Sequence, residues 1–228
     1  MSQASNRLPF EALPWSTPRV CVIGDVMVDA YMWGRVTRVS PEAPVPVVEV
    51  DRREQRVGGA GNVVKNLESL GAVVNVISVV GDDAAGQELT RLLATMSTPH
   101  LVVDPSRPTT VKTRVISGGH HVVRVDEEST APLSSALTQE ALNRLKGLLL
   151  GDTPPDVVVI EDYDKGLMTL EMIEGVLREC EAAGVPVAVD PKLRHFAAYL
   201  GVALFKPNLK ELNEGLGLST PVHPMNRE

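Results

Sequence analysis

Val57-Gly58-Gly59-Ala60-Gly61-Asn62-Val63-Val64-Lys65-Asn66-Leu67-Glu68-Ser69-Leu70-Gly71 decides how the rest of this chain is read. A glycine cluster opens into a helical pattern that puts Val63, Leu67 and Leu70 on one face. Glycines without Cβ let a ligand approach the backbone, and the free N–H groups of a first helical turn attract oxygen-rich or anionic groups. Asn62 adds an amide that both donates and accepts at that mouth. A tight strand-to-helix turn that uses glycine only for packing explains the same residues. The flanking sequence has to choose between them.

Arg19–Gly24 (RVCVIG) is a short apolar run closed by Gly and Asp, as expected of a buried first strand. Further strands are expected at 73–80, 100–103, 156–160, 185–189 and 202–205. Helical spacing covers 84–96, 134–150, 169–183 and 209–216. Alternation of buried strands with amphipathic helices argues for an α/β fold around a parallel sheet. Residues 35–50 read differently. Ser40-Pro41-Glu42-Ala43-Pro44-Val45-Pro46 excludes helix and central strand and leads into an edge strand at 47–50. Residues 109–117 and 121–126 alternate polar and apolar across Gly118-Gly119-His120, a hairpin with one solvated face. Together with 45–50 they predict a small antiparallel sheet, separate from the main one and able to act as a lid, a dimer face or both.

At 228 residues, 43% of them hydrophobic and 22% charged, the chain has the composition of a globular protein with a core. A net charge of −7 gives it no electrostatic case for nucleic acid or an anionic membrane. Cys21 and Cys180, without close spacing, read as buried thiols of a reducing compartment rather than a disulfide or a metal site. Residues 1–18 lack a signal-type apolar core and read as a loose leader, with Phe10 and Trp15 as docking candidates. Residues 219–228 read as a polar tail. No run reaches transmembrane length, so a cytoplasmic location is expected.

Polar motifs recur just past the expected strands: Asp25, Asp162 with Lys165, Asp190 with Lys192, and Asn208 with Glu211. In a parallel sheet those ends share one edge, where open α/β folds bind their ligands. Helix caps and solvated turns are the plain alternative. Asn208-Leu209-Lys210-Glu211 in particular has the form of a capping box. In a functional role, Glu211 would hold Mg²⁺ through water with phosphate oxygens completing the shell. Lys112, Arg114 and Arg124 alternate on the lid hairpin, either as a solvated edge or as a clamp for a phosphorylated substrate.

These motifs occur in one order: Gly24-Asp25-Val26-Met27-Val28-Asp29, the Ser40–Pro46 segment, Gly58-Gly59-Ala60-Gly61-Asn62, Asp162-Tyr163-Asp164-Lys165-Gly166, Asp190-Pro191-Lys192 and Pro207-Asn208-Leu209-Lys210-Glu211. In that order the chain resembles the ribokinase-like (PfkB) carbohydrate kinases over 19–216, and within them the heptose 7-phosphate kinases. The first, third and last motifs are general to the family, whereas S-P-E-A-P-V-P and D-Y-x-K-G point to the heptose branch. The resemblance implies a three-layer α/β fold with a β lid that commonly pairs subunits into a homodimer. It implies transfer of the ATP γ-phosphoryl group to O1 of D-glycero-D-manno-heptose 7-phosphate, for ADP-heptose and a surface glycan such as lipopolysaccharide. By the same resemblance Asp25 and Asn62 bind sugar hydroxyls, and Gly58 and Gly59 let the sugar reach backbone. Lys112, Arg124 and Lys165 are the candidates for the 7-phosphate. Lys192, Asn208 and Glu211 would serve the Mg²⁺–ATP phosphates.

One element of that family is not found. Its G-A-G-D motif, whose helix N-terminus stabilises the transferring phosphoryl and whose Asp is the base, does not occur in this sequence. The base is therefore expected beyond Glu228, with a further kinase segment or a nucleotidyltransferase domain as possible partners. A non-catalytic sugar-phosphate-binding or dimerisation module is the alternative, and a PfkB kinase for another acceptor is a third reading. A dinucleotide-binding dehydrogenase is disfavoured, because Gly24-Asp25 puts an anion where a pyrophosphate would sit.

Overall fold

The computed structural model describes residues 17–218. The leader but for its last two residues, with Phe10 and Trp15, and the tail 219–228 lie outside the described residues. In chain order the elements are β1 (Arg19–Gly24), β2 (Val26–Val39), β3 (Pro46–Gly59), α1 (Ala60–Ser69), β4 (Val73–Val80), α2 (Ala84–Leu93), β5 (Thr98–Val103), β6 (Val111–Ser117) and β7 (His120–Glu127). They continue with α3 (Ser135–Leu149), β8 (Val157–Glu161), α4 (Leu170–Ala183), β9 (Val187–Asp190), a 3₁₀ helix at Leu193–Ala198, β10 (Leu204–Phe205) and α5 (Leu209–Gly215).

After Arg19, β1 is apolar because both its faces are buried. Cys21 and Ile23 enter a core shared with α3 and α4, while Val20 and Val22 enter one shared with α1 and α2. The main sheet has the order β10-β9-β8-β1-β4-β5, and all its pairings are parallel. The two cores on its faces make the expected three layers. From β1 the chain fills one side with β4 and β5, then returns to fill the other with β8, β9 and β10. The boundary between β1 and β8 is thus the switch point, and a crevice opens there at the strand carboxyl ends.

The lid departs from expectation. Residues 26–34, to which the sequence assigned no strand, belong to the continuous 14-residue strand β2. Asp25 alone separates β1 from β2. Ser78 Oγ bridges this step, donating to the Gly24 carbonyl at 2.6 Å and accepting from Val26 N at 3.2 Å. β3 runs 14 residues to Gly59, so the Gly58-Gly59 pair ends a strand instead of forming a loop. The second sheet has the order β3-β2-β6-β7, and β2 pairs with β6 in parallel, so it is mixed rather than antiparallel. Apolar alternation cannot report the direction of a partner strand, which is why the sequence missed this. The β6–β7 hairpin turns through Gly118 and Gly119, both at positive φ as a tight hairpin turn requires. Pro46 opens the edge strand β3, where a missing N–H costs no ladder bond.

Cys21 and Cys180 are free and buried. Among the described residues no helix is long and apolar enough to cross a membrane.

Gly59 sits at φ 57, ψ −133 as the N-cap of α1, in a mirror-image extended region essentially open only to glycine. A Cβ there would lie 2.4 Å from the Asp25 carbonyl oxygen. Gly59→Ala is therefore expected to destabilise the chain by about 2–4 kcal/mol, read as a lower urea midpoint at unchanged slope.

Candidate functional site

The crevice at the switch point is organised by Asp25, whose residue is 2% exposed. Its carboxylate accepts backbone N–H bonds from Tyr163 at 3.0 Å, Lys165 at 3.2 Å and Leu167 at 3.4 Å. These three donors come from the loop after β8, so the first strand's acid shapes the loop of its neighbour. Asp162 pins the same loop, accepting from Asp164 N and from the Tyr199 hydroxyl, each at 2.8 Å. The loop turns through Asp164 at φ 55, a conformation that Asp tolerates better than most side chains. Burial pushes the Asp25 carboxyl up to about 6, its backbone donors pull it down, and the nearby Asp162 carboxylate adds to the rise.

Of the predicted sugar-side residues, Gly59 lies directly against Asp25. Gly58 and Gly59 lie against β2: a Cβ on Gly58 would meet the Asp29 carboxylate at 2.6 Å. Their bareness thus serves the close approach of β3 to β2. Asn62 lies exposed in the first turn of α1. The Ala60 N–H, at the start of that helix, donates to the Asp25 carbonyl at 3.0 Å.

The predicted clamp cations all have carboxylate partners. Lys112 and Lys165 reach the two oxygens of Glu128, each at 2.8 Å, and Lys112 also reaches Asp126 at 3.1 Å. Arg124 pairs with Asp126 at 2.9 Å, and Arg114 with Asp29 at 2.5 Å. Glu128 therefore bridges β6 of the lid to the loop after β8. No sequence signal marked it, because a Glu in a polar connection looks like a solvated residue.

Arg107 was also missed. Its buried guanidinium pairs with Asp104 at 2.8 Å and donates to the carbonyls of Lys165 at 3.1 Å and Ala131 at 3.0 Å. With Asp25, Thr110, Ser129 and Lys165 it lines a cavity of about 10 Å³, room for about one water.

At the other end of the crevice the capping box is formed in full. Asn208 Oδ1 accepts from Glu211 N and Glu211 Oε2 accepts from Asn208 N, both at 2.9 Å. The second oxygen of Glu211 pairs with Lys192, and Lys206 pairs with Asp190 at 2.7 Å. Burial favours the neutral acid at Glu211, but the Lys192 ammonium and the Asn208 N–H outweigh it and hold this carboxyl below its usual range. The capping oxygen is Oε2 and the oxygen paired with Lys192 is Oε1, so capping occupies only one of the two. Among the described residues no three His, Cys, Asp or Glu side chains form a ready metal cage. A Mg²⁺ held here would take one or two carboxylates and complete its shell with phosphate oxygens and water, a donor set that suits the ion.

Residues 17–223 match the pattern of the pfkB family carbohydrate kinases. The chain belongs to that family. Among its relatives are the bifunctional protein HldE of Caulobacter vibrioides, 45% identical over 202 residues, and that of Paramagnetospirillum magneticum, 42% identical over 200. Each match covers 87% of this chain but 40% of the relative, so the chain spans about two fifths of those proteins. Two solved structures share the fold. Phosphofructokinase-2 from Escherichia coli has a TM-score of 0.67 at 18% identity, over 88% of this chain and 64% of that one. A possible 1-phosphofructokinase from Thermotoga maritima also has a TM-score of 0.67 at 18% identity, over 89% and 65% respectively.

Glu161 carries the site's clearest pH dependence. Burial, and then the Asp190 carboxylate, push it up to about 7, against the pull of Lys206 and Lys192. An unfolded Glu titrates near 4.3, so between about pH 4 and pH 7 the folded chain holds more protons at this position than the unfolded chain. Stability from this group is therefore lost as pH rises through that window. Glu161→Gln is expected to gain about 1–3 kcal/mol over the parent at pH 8, with the difference shrinking toward pH 4.5. Thermal melts of both proteins across pH 4.5–8 check this; a gap independent of pH would show that Glu161 is ionised throughout.

Proposed function

We propose that this chain is the acceptor-binding and phosphate-facing part of an ATP-dependent kinase for D-glycero-D-manno-heptose 7-phosphate. The product would be the 1,7-bisphosphate, on the route to ADP-heptose. The observation that carries this reading is the Lys112–Glu128–Lys165 bridge beside Asp25. Two ammoniums sharing one carboxylate at 2.8 Å each make a site in which a phosphate dianion can take the carboxylate's place. An unphosphorylated acceptor needs no such pair. The S-P-E-A-P-V-P segment and Asp162-Tyr163-Asp164-Lys165-Gly166, features of the heptose branch, support the same acceptor, as does the similarity to the HldE proteins.

In this reading Asp25 and Asn62 orient the sugar hydroxyls, and Lys112, Lys165 and Arg124 hold the 7-phosphate. Lys192, Asn208 and Glu211 serve the ATP phosphates, Glu211 acting on Mg²⁺ through water. The ion would supply charge neutralisation at the transferring phosphoryl group. We assign no base for the acceptor hydroxyl among residues 17–218. Val123 and Val125 lie half-exposed on the outer lid strand β7, where a second copy would pack to give a homodimer. A cytoplasmic setting suits the two unpaired thiols.

The test is ADP release by the purified chain with Mg²⁺–ATP and heptose 7-phosphate, alongside direct binding of the sugar phosphate. Sugar-phosphate binding that Lys165→Ala weakens at least tenfold, with nucleotide binding unchanged, is the expected outcome. Turnover in addition would place the base within this chain. Equal binding of the unphosphorylated heptose would remove the basis for the phosphate clamp.

A further inference from the structure

We propose that Glu161 is a direct ligand for the divalent cation that enters this crevice with a nucleotide's phosphates. The inference rests on the kinase reading above and adds a residue to it that none of the family motifs contains.

Glu161 is the last residue of β8, the strand that lies between β1, which ends at Gly24 before Asp25, and β9, which ends at Asp190. The residue is 7% exposed, and its side chain makes no hydrogen bond or ion pair with any described residue. What little of the residue is exposed includes its carboxylate oxygens. The acid is thus held in a largely buried position with solvent as its only partner, which is costly and calls for a reason. Its neighbours supply one. In the sheet register Glu161 stands between Gly24 of β1 and Asp190 of β9, so its side chain and that of Asp190 project on the same side of the sheet. On the β1 side the register partner has no side chain: a Cβ on Gly24 would lie 2.8 Å from that of Glu161. The carboxyl is therefore flanked by bare backbone on one side and by a second acid on the other.

The charges around it do not balance. Lys206 holds Asp190 and Lys192 holds Glu211, which leaves Glu161 as the one carboxyl of this group without a cation. Both lysines act on Glu161 through space, but each is already committed to another acid. A neutral ligand hydroxyl would leave the imbalance in place, whereas a divalent cation removes it. Adjacent strands are about 4.8 Å apart, so carboxyls on β8 and β9 can reach one ion. One or two carboxylates plus phosphate oxygens and water is the usual Mg²⁺ environment in phosphoryl-transfer sites.

The experiment is calorimetric titration of the full chain with Mn²⁺–ADP, and with ADP alone in excess chelator. The variants are Glu161→Gln and Glu161→Asp, the latter keeping the charge but withdrawing it by one methylene. Melting curves establish that both are folded. The expected result is Mn²⁺–ADP affinity lowered about tenfold or more in both variants, with metal-free ADP unaffected. Unchanged Mn²⁺–ADP affinity in Glu161→Gln would overturn the proposal, as would an equal loss for metal-free ADP, which would mark a change in crevice shape. Wild-type affinity in Glu161→Asp, with Glu161→Gln impaired, would replace ligation by a charge acting at a distance. A parent chain that binds no ADP in either form would overturn the nucleotide reading itself, and this role of Glu161 with it.

Discussion

The carboxylate of Asp25 is the constraint on which the rest of this structure depends. It is buried at the one residue where the chain leaves the parallel sheet for the lid, and it is spent on three backbone N–H groups of the loop after β8. Hydrogen bonds to a charged acceptor each contribute about 1.5–3 kcal/mol net, enough to offset much of the cost of burying the charge. That single interaction ties β1, β2 and β8 together at the switch point. The Asp25 carbonyl meanwhile accepts from the first N–H of α1. Strand, lid, loop and helix all meet at this residue.

This makes the functional assignment of Asp25 more demanding. A carboxylate that accepts three backbone bonds has limited capacity left, since two oxygens offer about four acceptor sites in all. One sugar hydroxyl fits within that capacity; a bidentate interaction with two hydroxyls does not, unless the loop moves. A binding role for Asp25 is therefore coupled to the position of the 163–167 loop, and through Lys165 and Glu128 to the lid. Acceptor binding and lid position would share one set of contacts.

The main sheet was legible in the sequence because its strands are buried on both faces and so read as unbroken apolar runs. Arg19–Gly24 and Val73–Val80 were both found at the bounds the structure gives them. The motifs at their ends were legible because Gly, Asp and Asn are punctuation whose meaning is local. What failed was non-local. The first half of β2 was lost because its residues were read for the acidic motif they carry and not as a strand; its parallel pairing with β6 has no local signature. Arg107, Glu128 and Glu161 were missed for a related reason. Each is a charged residue whose importance lies in what surrounds it in space, and a charged residue in a loop or at a strand end has solvent as its default environment. Asn208 and Glu211 show the converse, since the structural role that their spacing announced, the capping box, is present in full.

Every cation that the sequence offered as a phosphate ligand is already held by a carboxylate. This bears on how such a site works rather than on whether it does. A bare pair of lysines would bind phosphate tightly and release it slowly, and would repel each other while empty. With Glu128 between Lys112 and Lys165, the incoming phosphate exchanges one charge-assisted contact for another. The net gain is then the difference between a dianion and a monoanion in the same place, modest enough for turnover. The displaced Glu128 carboxylate has to swing away from the loop after β8, and it is attached to the end of the lid sheet just past β7. Phosphate binding would thus break the existing tie between lid and floor and make a new one through the ligand. On the proposed reading, Glu128 would be the internal stand-in for the substrate phosphate, tying the lid to the loop after β8 until the ligand arrives.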